Sequence, residues 1–158
     1  MKYKYCFFND YLEGGHQNIL DALSKTNLDQ EEGYGNDTFC EEARNLLKEQ
    51  IKNPQAAVHF VSSGTQANIV SLVSMLKPYE SVIAPLSSHP NEHEAGAIEA
   101  TGHKLNTVDC PDGKLKPEQI IKIVEHHAVF GEHMVKPKVV FISNATELGT
   151  IYTKQGSL

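Results

Sequence analysis

The most informative stretch of the chain reads V-H-F-V-S-S-G-T-Q-A-N over residues 58–68, where a β-type run passes directly into a helix-type run. A helix that starts at such a turn presents free backbone N–H groups and the positive end of its dipole. Gly64 allows a ligand to approach the backbone closely, and the hydroxyls of Ser63 and Thr65 can donate to phosphate oxygens. The stretch predicts a strand–turn–helix unit with a candidate anion site, the alternative being a capped turn that binds nothing. It matches neither the nucleoside-triphosphate loop nor the dinucleotide fingerprint.

The same alternation of β-type and helix-type runs continues on both sides of this stretch. The candidate strands are AVHFV (57–61), SVIA (81–84), HKLNTV (103–108) and KVVFIS (138–143). Helical runs lie between them at 65–76, in the segment 94–102, and from Pro117 onward, and the run 65–76 is apolar nearly all round, which predicts a helix covered on both sides. The pattern predicts an α/β fold, a three-layer sandwich with a mainly parallel sheet and helices on both faces.

Two helices are predicted before residue 57. Residues 16–26 carry apolar side chains at helical spacing, and a stronger helix begins at Thr38, where T-F-C-E fits a capping box with Glu41. No linker separates these helices from the rest, so the sequence predicts one large domain over residues 1–158, with no second domain. The chain ends a few residues after the last predicted strand, which predicts an incomplete domain.

Composition excludes several classes of protein. The 158 residues carry a net charge of -6 with Arg44 as the single arginine, which argues against a nucleic-acid partner. No stretch of about 18 apolar residues predicts a membrane span, and the first residues lack a signal-peptide core, so a cytoplasmic protein is expected. The three cysteines form no C-x-x-C pair, which predicts reduced thiols and no metal.

A second polar motif, S-S-H-P-N-E-H-E-A-G-A, spans residues 87–97. It formally satisfies the H-x-x-E-H zinc pattern, but that chemistry needs both histidines on one continuous helix, and Pro90 disfavours a helical conformation at His89. A helix starting after His89 is therefore expected. His89, following a parallel strand, is then placed to face a ligand at the carboxyl end of the sheet.

Six collinear motifs resemble the threonine aldolase and aromatic amino-acid β-eliminating lyase family, whose members are pyridoxal-phosphate (PLP) enzymes of fold type I. They lie at residues 7–23, 32–40, 59–68, 93–104, 112–115 and 142–154. The resemblance covers almost the whole chain, and it implies the large domain of such an enzyme.

The resemblance also implies roles for individual residues. The phosphate cup is Ser63, Gly64 and Thr65, with Gln66 at the helix entry, and His89 matches the histidine that stacks on the pyridine ring. Glu94 matches a nearby acid, Asn144 lies on a segment that approaches the cofactor, and Tyr34 matches a tyrosine that lines the active site, in some members that of a neighbouring subunit.

The resemblance stops before three further family residues: the Schiff-base lysine, the aspartate at the ring nitrogen and the arginine that grips the substrate carboxylate. Lys138 and Lys154 match none of them. The chain is therefore expected to be a truncated lyase, inactive alone, of a type that cleaves a β-hydroxy amino acid to glycine and an aldehyde. β-Elimination from a cysteine-type or aromatic amino acid is the sibling alternative.

Two alternatives belong to other classes, and one expectation concerns assembly. The chain could be a non-catalytic binding or assembly fragment, or a zinc hydrolase using His89 and His93. Family members assemble as dimers or tetramers, and a sheet lacking later strands exposes an apolar edge, so a homo-oligomer is expected.

Overall fold

The computed structural model describes Cys6, Asn9 and residues 11–153. The described residues fall into two compact units, divided between Phe60 and Val61. Among the described residues, no helix is both long and apolar enough to cross a bilayer.

The first unit contains two helices, α1 (Gln17–Thr26) and α2 (Thr38–Gln50). Both helices were predicted, but the cap of α2 differs from the prediction. Asp37 is the N-cap, and its carboxylate accepts from the Cys40 backbone N–H at 2.7 Å. Thr38 instead donates to the Glu31 carboxylate through its N–H at 3.0 Å and its hydroxyl at 2.6 Å. The predicted Thr38–Glu41 capping box is therefore wrong, because Asp37, one residue earlier, supplies a better-placed acceptor.

The second unit is an α/β layer structure. In chain order it contains α3 (Gly64–Ser74), β1 (Glu80–Pro85), the one-turn α4 (His89–Glu92), β2 (Leu105–Val108), α5 (Pro117–Phe130) and β3 (Lys136–Val140), with short 3₁₀ turns at Glu99–Thr101 and Gly131–His133. The strands form a parallel sheet in the order β2–β1–β3. After β2 the chain crosses back over β1, so a topological switch point lies between β1 and β3.

The central strand separates two apolar layers. Val82 on one face of β1 packs with Leu72 of α3 and with Ile98, while Ile83 on the other face packs with Leu115, Cys110 and the partly buried Ile120 and Ile123 of α5. Successive residues of a strand point to opposite faces, so this alternation places α3 on one side of the sheet and α5 on the other. The predicted parallel three-layer architecture is confirmed.

Three local predictions are wrong. The run 57–61, predicted as a strand, pairs with no described strand, because β-propensity yields a strand only where a neighbour completes the hydrogen bonds. The segment 94–102 forms turns and a 3₁₀ turn instead of a helix, with positive φ at Ala95 and Gly96. Helix α3 buries only Leu72 fully and leaves Val70 55% exposed, so it is covered on one side only.

Candidate functional site

His89 lies where β1 ends, and its imidazole is held by a buried carboxylate. The ring Nδ1 is 2.8 Å from Oε1 of Glu94, whose side chain has no exposed surface while that of His89 is 48% exposed. Because Nδ1 is engaged with Glu94, Nε2 is the ring nitrogen left for other partners. The sequence predicted both residues for the site, and the structure brings them together.

Asn68 connects this pair to α3. Its side-chain amide donates to the same Oε1 of Glu94, across 26 residues of sequence. Asn68 lies one turn into the helix that begins at Gly64. The candidate anion turn and the candidate stacking histidine are therefore joined through one carboxylate oxygen.

A second carboxylate reaches His89 from the segment that follows β3. Oε1 of Glu147 accepts from the His89 backbone N–H at 3.0 Å and from the Ser143 hydroxyl at 2.6 Å. Ser143 lies beyond the carboxyl end of β3, and His89 lies beyond that of β1. The site thus occupies the crevice at the switch point between these two parallel strands, where open α/β sheets bind ligands.

The turn before α3 holds several donors in a fixed arrangement. Ser63 caps the helix by accepting from the Gln66 N–H at 3.1 Å, and the Gln66 side-chain oxygen accepts from the Ser62 N–H and hydroxyl at 2.7 and 2.8 Å. No described residue accepts from the backbone N–H of Gly64 or Thr65. The space beside Gly64 is open: apart from its chain neighbours and the backbone of its own helix, no heavy atom of the described residues lies within 4 Å of where a Cβ would stand. This arrangement can bind an anion, and Gln66 holds the loop in place.

Asn144 and Tyr34 have different surroundings. The Asn144 side-chain oxygen accepts from the backbone N–H of Tyr152 at 3.2 Å, which bridges the loop after β3. The Tyr152 hydroxyl in turn accepts from the Leu115 N–H at 2.7 Å, and burial raises the pKa of this hydroxyl. Tyr34, in the first unit, is fully exposed with φ of 63°.

Sequence reasoning missed three residues of the site: Asn68, Ser143 and Glu147. All three lie inside motifs that were recognised, S-S-G-T-Q-A-N and I-S-N-A-T-E. Their roles depend on contacts between distant parts of the chain. The longest of these contacts joins His89 and Glu147, which are 58 residues apart in the sequence. Only the folded sheet shows these contacts.

The zinc alternative is not supported by the helix geometry. Helix α4 starts at His89 itself, which corrects the expectation of a start after His89, since Pro90 is accommodated at the second helical position. The helix ends at Glu92, so His93 lies outside it and the two histidines do not share a continuous helix. Within the described part of the chain, no three His, Cys, Asp or Glu side chains are grouped to hold a metal.

A separate cavity lies at the opposite end of the strands. It has a volume of about 540 Å³ and is lined by residues that include Tyr79, Val124 and Lys136, close to the amino ends of β1 and β3. Its lining is mainly apolar, although it includes His127, Glu132 and Lys136. The polar groups suited to chemistry therefore lie in the crevice at the carboxyl ends of the strands, not in this cavity.

Known proteins resemble this chain in sequence and structure. Low-specificity L-threonine aldolases from Pseudomonas sp. (strain NCIMB 10558) and Pseudomonas aeruginosa are each 32% identical to it over 148 residues, which is 92% of this chain and 42% of the relative. The solved structure of Leishmania major threonine aldolase superimposes with a TM-score of 0.90 at 49% identity, covering 95% of this chain and 43% of that one. The chain thus spans less than half the length of the relatives it matches.

A family model confirms the relationship over both units. The model of the beta-eliminating lyase family matches residues 7–156. The chain therefore belongs to the beta-eliminating lyase family.

Proposed function

We propose that this chain supplies the phosphate cup and the ring-stacking histidine of a PLP-dependent amino-acid lyase that acts as a threonine aldolase. The observation that carries the proposal is the Asn68–Glu94–His89 chain of hydrogen bonds, which joins an anion-binding helix start to a half-exposed imidazole. The names of the relatives and the 49% identity to the Leishmania enzyme support aldol cleavage. The family's description keeps β-elimination as the second candidate reaction.

The residues of the second unit fit the two ends of PLP. Backbone N–H groups of Gly64 and Thr65 and the hydroxyls of Ser63 and Thr65 provide donors for a phosphate. The buried carboxylate of Glu94 provides a chemically matched support for a ring-stacking imidazole. When bound, PLP supplies the electron sink that stabilises negative charge at Cα of an amino acid.

The chain's own residues then bind the phosphate of the cofactor and orient the His89 ring. The helix start holds the phosphate, Gln66 keeps the turn closed, and Glu94 keeps the Nδ1 proton on His89 and fixes the ring's rotation. In this proposal Asn144 and Tyr34 contribute to the surroundings of the cofactor. No lysine of the chain is assigned to the Schiff base, so we expect no turnover from the chain alone.

The proposal also covers domain organisation, cellular location and oligomeric state. Both units belong to one large domain, which is supported by the family match across residues 7–156. The protein is a cytoplasmic homo-oligomer, which is supported by its free cysteines and by exposed apolar side chains such as Val140 and Ile142. A non-catalytic assembly role is the alternative if neither cofactor nor amino acid binds.

Calorimetric titration of the purified chain with PLP, and with pyridoxal, tests the proposal. We expect PLP to bind more tightly than pyridoxal, because only PLP carries the phosphate that the turn recognises. Thr65→Ala removes one donor and should weaken PLP binding about tenfold. Ser71→Ala, an exposed substitution on the same helix, is the matched control. Equal affinity for PLP and pyridoxal would contradict the phosphate cup.

Borohydride reduction followed by intact-mass measurement tests the expectation about the lysine. We expect no site-specific adduct after reduction of the chain with PLP. A stoichiometric adduct on one lysine would show that the chain provides its own Schiff-base residue and would overturn the expected inactivity.

A further inference from the structure

Glu147 is a second carboxylate at His89, and neither the family motif nor the sequence analysis gives it a role. It lies on the segment after β3, and its Oε1 accepts two hydrogen bonds, from the His89 N–H at 3.0 Å and from the Ser143 hydroxyl at 2.6 Å. Its Oε2 is buried and has no hydrogen-bond partner among the described residues. Keeping a carboxylate in such a place costs solvation, so its contacts have to compensate.

Glu147 accepts a hydrogen bond from the His89 backbone N–H, for which no nearby residue of the sequence provides an acceptor. His89 is the first residue of α4, so its N–H has no partner within the helix. The preceding residue, Ser88, makes no side-chain capping bond, and its hydroxyl is buried without a partner among the described residues. The acceptor for the first N–H of α4 therefore comes from a distant segment of the chain.

We propose that Glu147 is a positioning residue that fixes the backbone of His89, while Glu94 fixes its ring. The two carboxylates constrain different degrees of freedom: Glu94 binds Nδ1 and sets the rotation of the imidazole, and Glu147 binds the main-chain N–H and sets where the side chain starts. Ser143 completes the arrangement by holding Glu147 in place. The value of this positioning for catalysis rests on the proposed function, but the contacts themselves do not.

The arrangement also links two strands. His89 follows β1 and Ser143 follows β3, so Glu147 joins the carboxyl ends of neighbouring strands at the switch point of the sheet. A substitution at Glu147 therefore acts on the two walls of the crevice together. A change confined to the ring, such as one at Glu94, leaves the backbone of His89 in place.

Three variants of the full chain test the proposal by NMR without any cofactor. Glu147→Gln keeps a carbonyl oxygen that accepts both hydrogen bonds, Glu147→Ala removes the acceptor, and Glu125→Ala on the exposed surface of α5 is the matched control. The readouts are the exchange rate of the His89 amide and the ¹⁵N and ¹³C signals of its imidazole. We expect at least about tenfold faster exchange and displaced ring signals in Glu147→Ala, with near-native values in Glu147→Gln and Glu125→Ala.

Two results would overturn the proposal. One is a Glu147→Ala protein whose His89 amide exchange and ring signals equal those of the unsubstituted chain. The other is a Glu147→Gln protein altered as much as Glu147→Ala, since rescue by the retained acceptor would then have failed. If Glu147→Ala does not fold, Ser143→Ala replaces it. We expect Ser143→Ala to displace the His89 signals by a smaller amount. Unchanged His89 signals in Ser143→Ala would contradict the role of Glu147. Because no cofactor is present, a failure of PLP to bind leaves this test intact.

Discussion

Gly113 combines a left-handed backbone conformation with a close contact, and together these disfavour any residue with a side chain. Its φ is +76°, and a Cβ placed there would stand 3.0 Å from Oγ1 and 3.1 Å from Cβ of Thr146. Thr146 is buried and shares a hydrogen bond of 2.8 Å with the hydroxyl of Thr150. The loop before α5 therefore packs against the segment that carries Glu147.

Gly113→Ala should destabilise the protein by about 2–3 kcal/mol, because it adds a steric contact to an unfavourable φ. Gly102→Ala is the matched control, since the φ of Gly102 is +87° and, its two chain neighbours aside, no heavy atom in the described part of the chain lies within 4 Å of the added Cβ. That control should cost about 1 kcal/mol from the backbone conformation alone. Urea denaturation measures the free energy of unfolding of both variants. Equal losses of stability would show that the contact with Thr146 adds nothing to the cost of the backbone conformation.

At the scale of elements, the N-cap of α2 makes a pH-dependent contribution. Hydrogen bonds from the thiol and the N–H of Cys40 lower the pKa of Asp37 from its ordinary 3.8. A lowered pKa in the folded state means that the cap stabilises α2 fully above pH 3.8 and loses this effect as the pH falls through the lower, folded-state value. The charged form is the one that caps the helix.

Asp37→Ala should therefore raise the hydrogen-exchange rate of the Cys40 amide several-fold at neutral pH, because the first turn of α2 loses its acceptor. Asp37→Asn retains a side-chain oxygen that can accept from the Cys40 N–H. Its Cys40 amide should therefore exchange at nearly the unsubstituted rate at neutral pH. Because asparagine does not titrate, the cap should not weaken in acid. Amide exchange followed by NMR from neutral to acidic pH measures both effects. An Asp37→Ala protein with native exchange at Cys40 would contradict the assigned cap.

The helices and strands that could be predicted from the sequence are those determined by residues close together in the chain. Helix α5 begins at Pro117 and the core strand β1 contains the predicted run 81–84, because helix-start chemistry and a continuous apolar run do not depend on distant residues. The run 57–61 has the same β-type composition but no described partner, and composition does not reveal a missing neighbour. The same limit applies to the candidate site: His89 and Glu94, five residues apart, were both predicted, Glu94 from the family resemblance, whereas the contacts of Asn68 and Glu147 are visible only in the fold.

At the scale of the whole molecule, the two units differ in how much they bury. Every residue of β1 is buried, with Val82 and Ile83 at 0% and 1% exposure, whereas no described residue before Val61 is buried. Helices of 10 and 13 residues are marginal in water without a packed face. The stability of the described chain is therefore concentrated in the second unit.

Hydrogen exchange of the full chain should show this difference directly. We expect amides of α1 and α2 to exchange faster than those of β1 by several orders of magnitude, because local opening exposes little apolar surface where little is buried. Fragment-resolved mass spectrometry measures the contrast. Comparable protection in α1 and β1 would mean that contacts outside the chain, such as a second copy, cover the helices of the first unit.

The closed turn at Ser62–Gln66 has a consequence for kinetics. Gln66 already holds both the N–H and the hydroxyl of Ser62, and Ser63 already caps α3. A loop that is ordered beforehand does not have to pay conformational entropy on encounter. Association of an anion with this turn should therefore follow a single, concentration-dependent exponential set by diffusion and desolvation, with no slow rearrangement after the encounter.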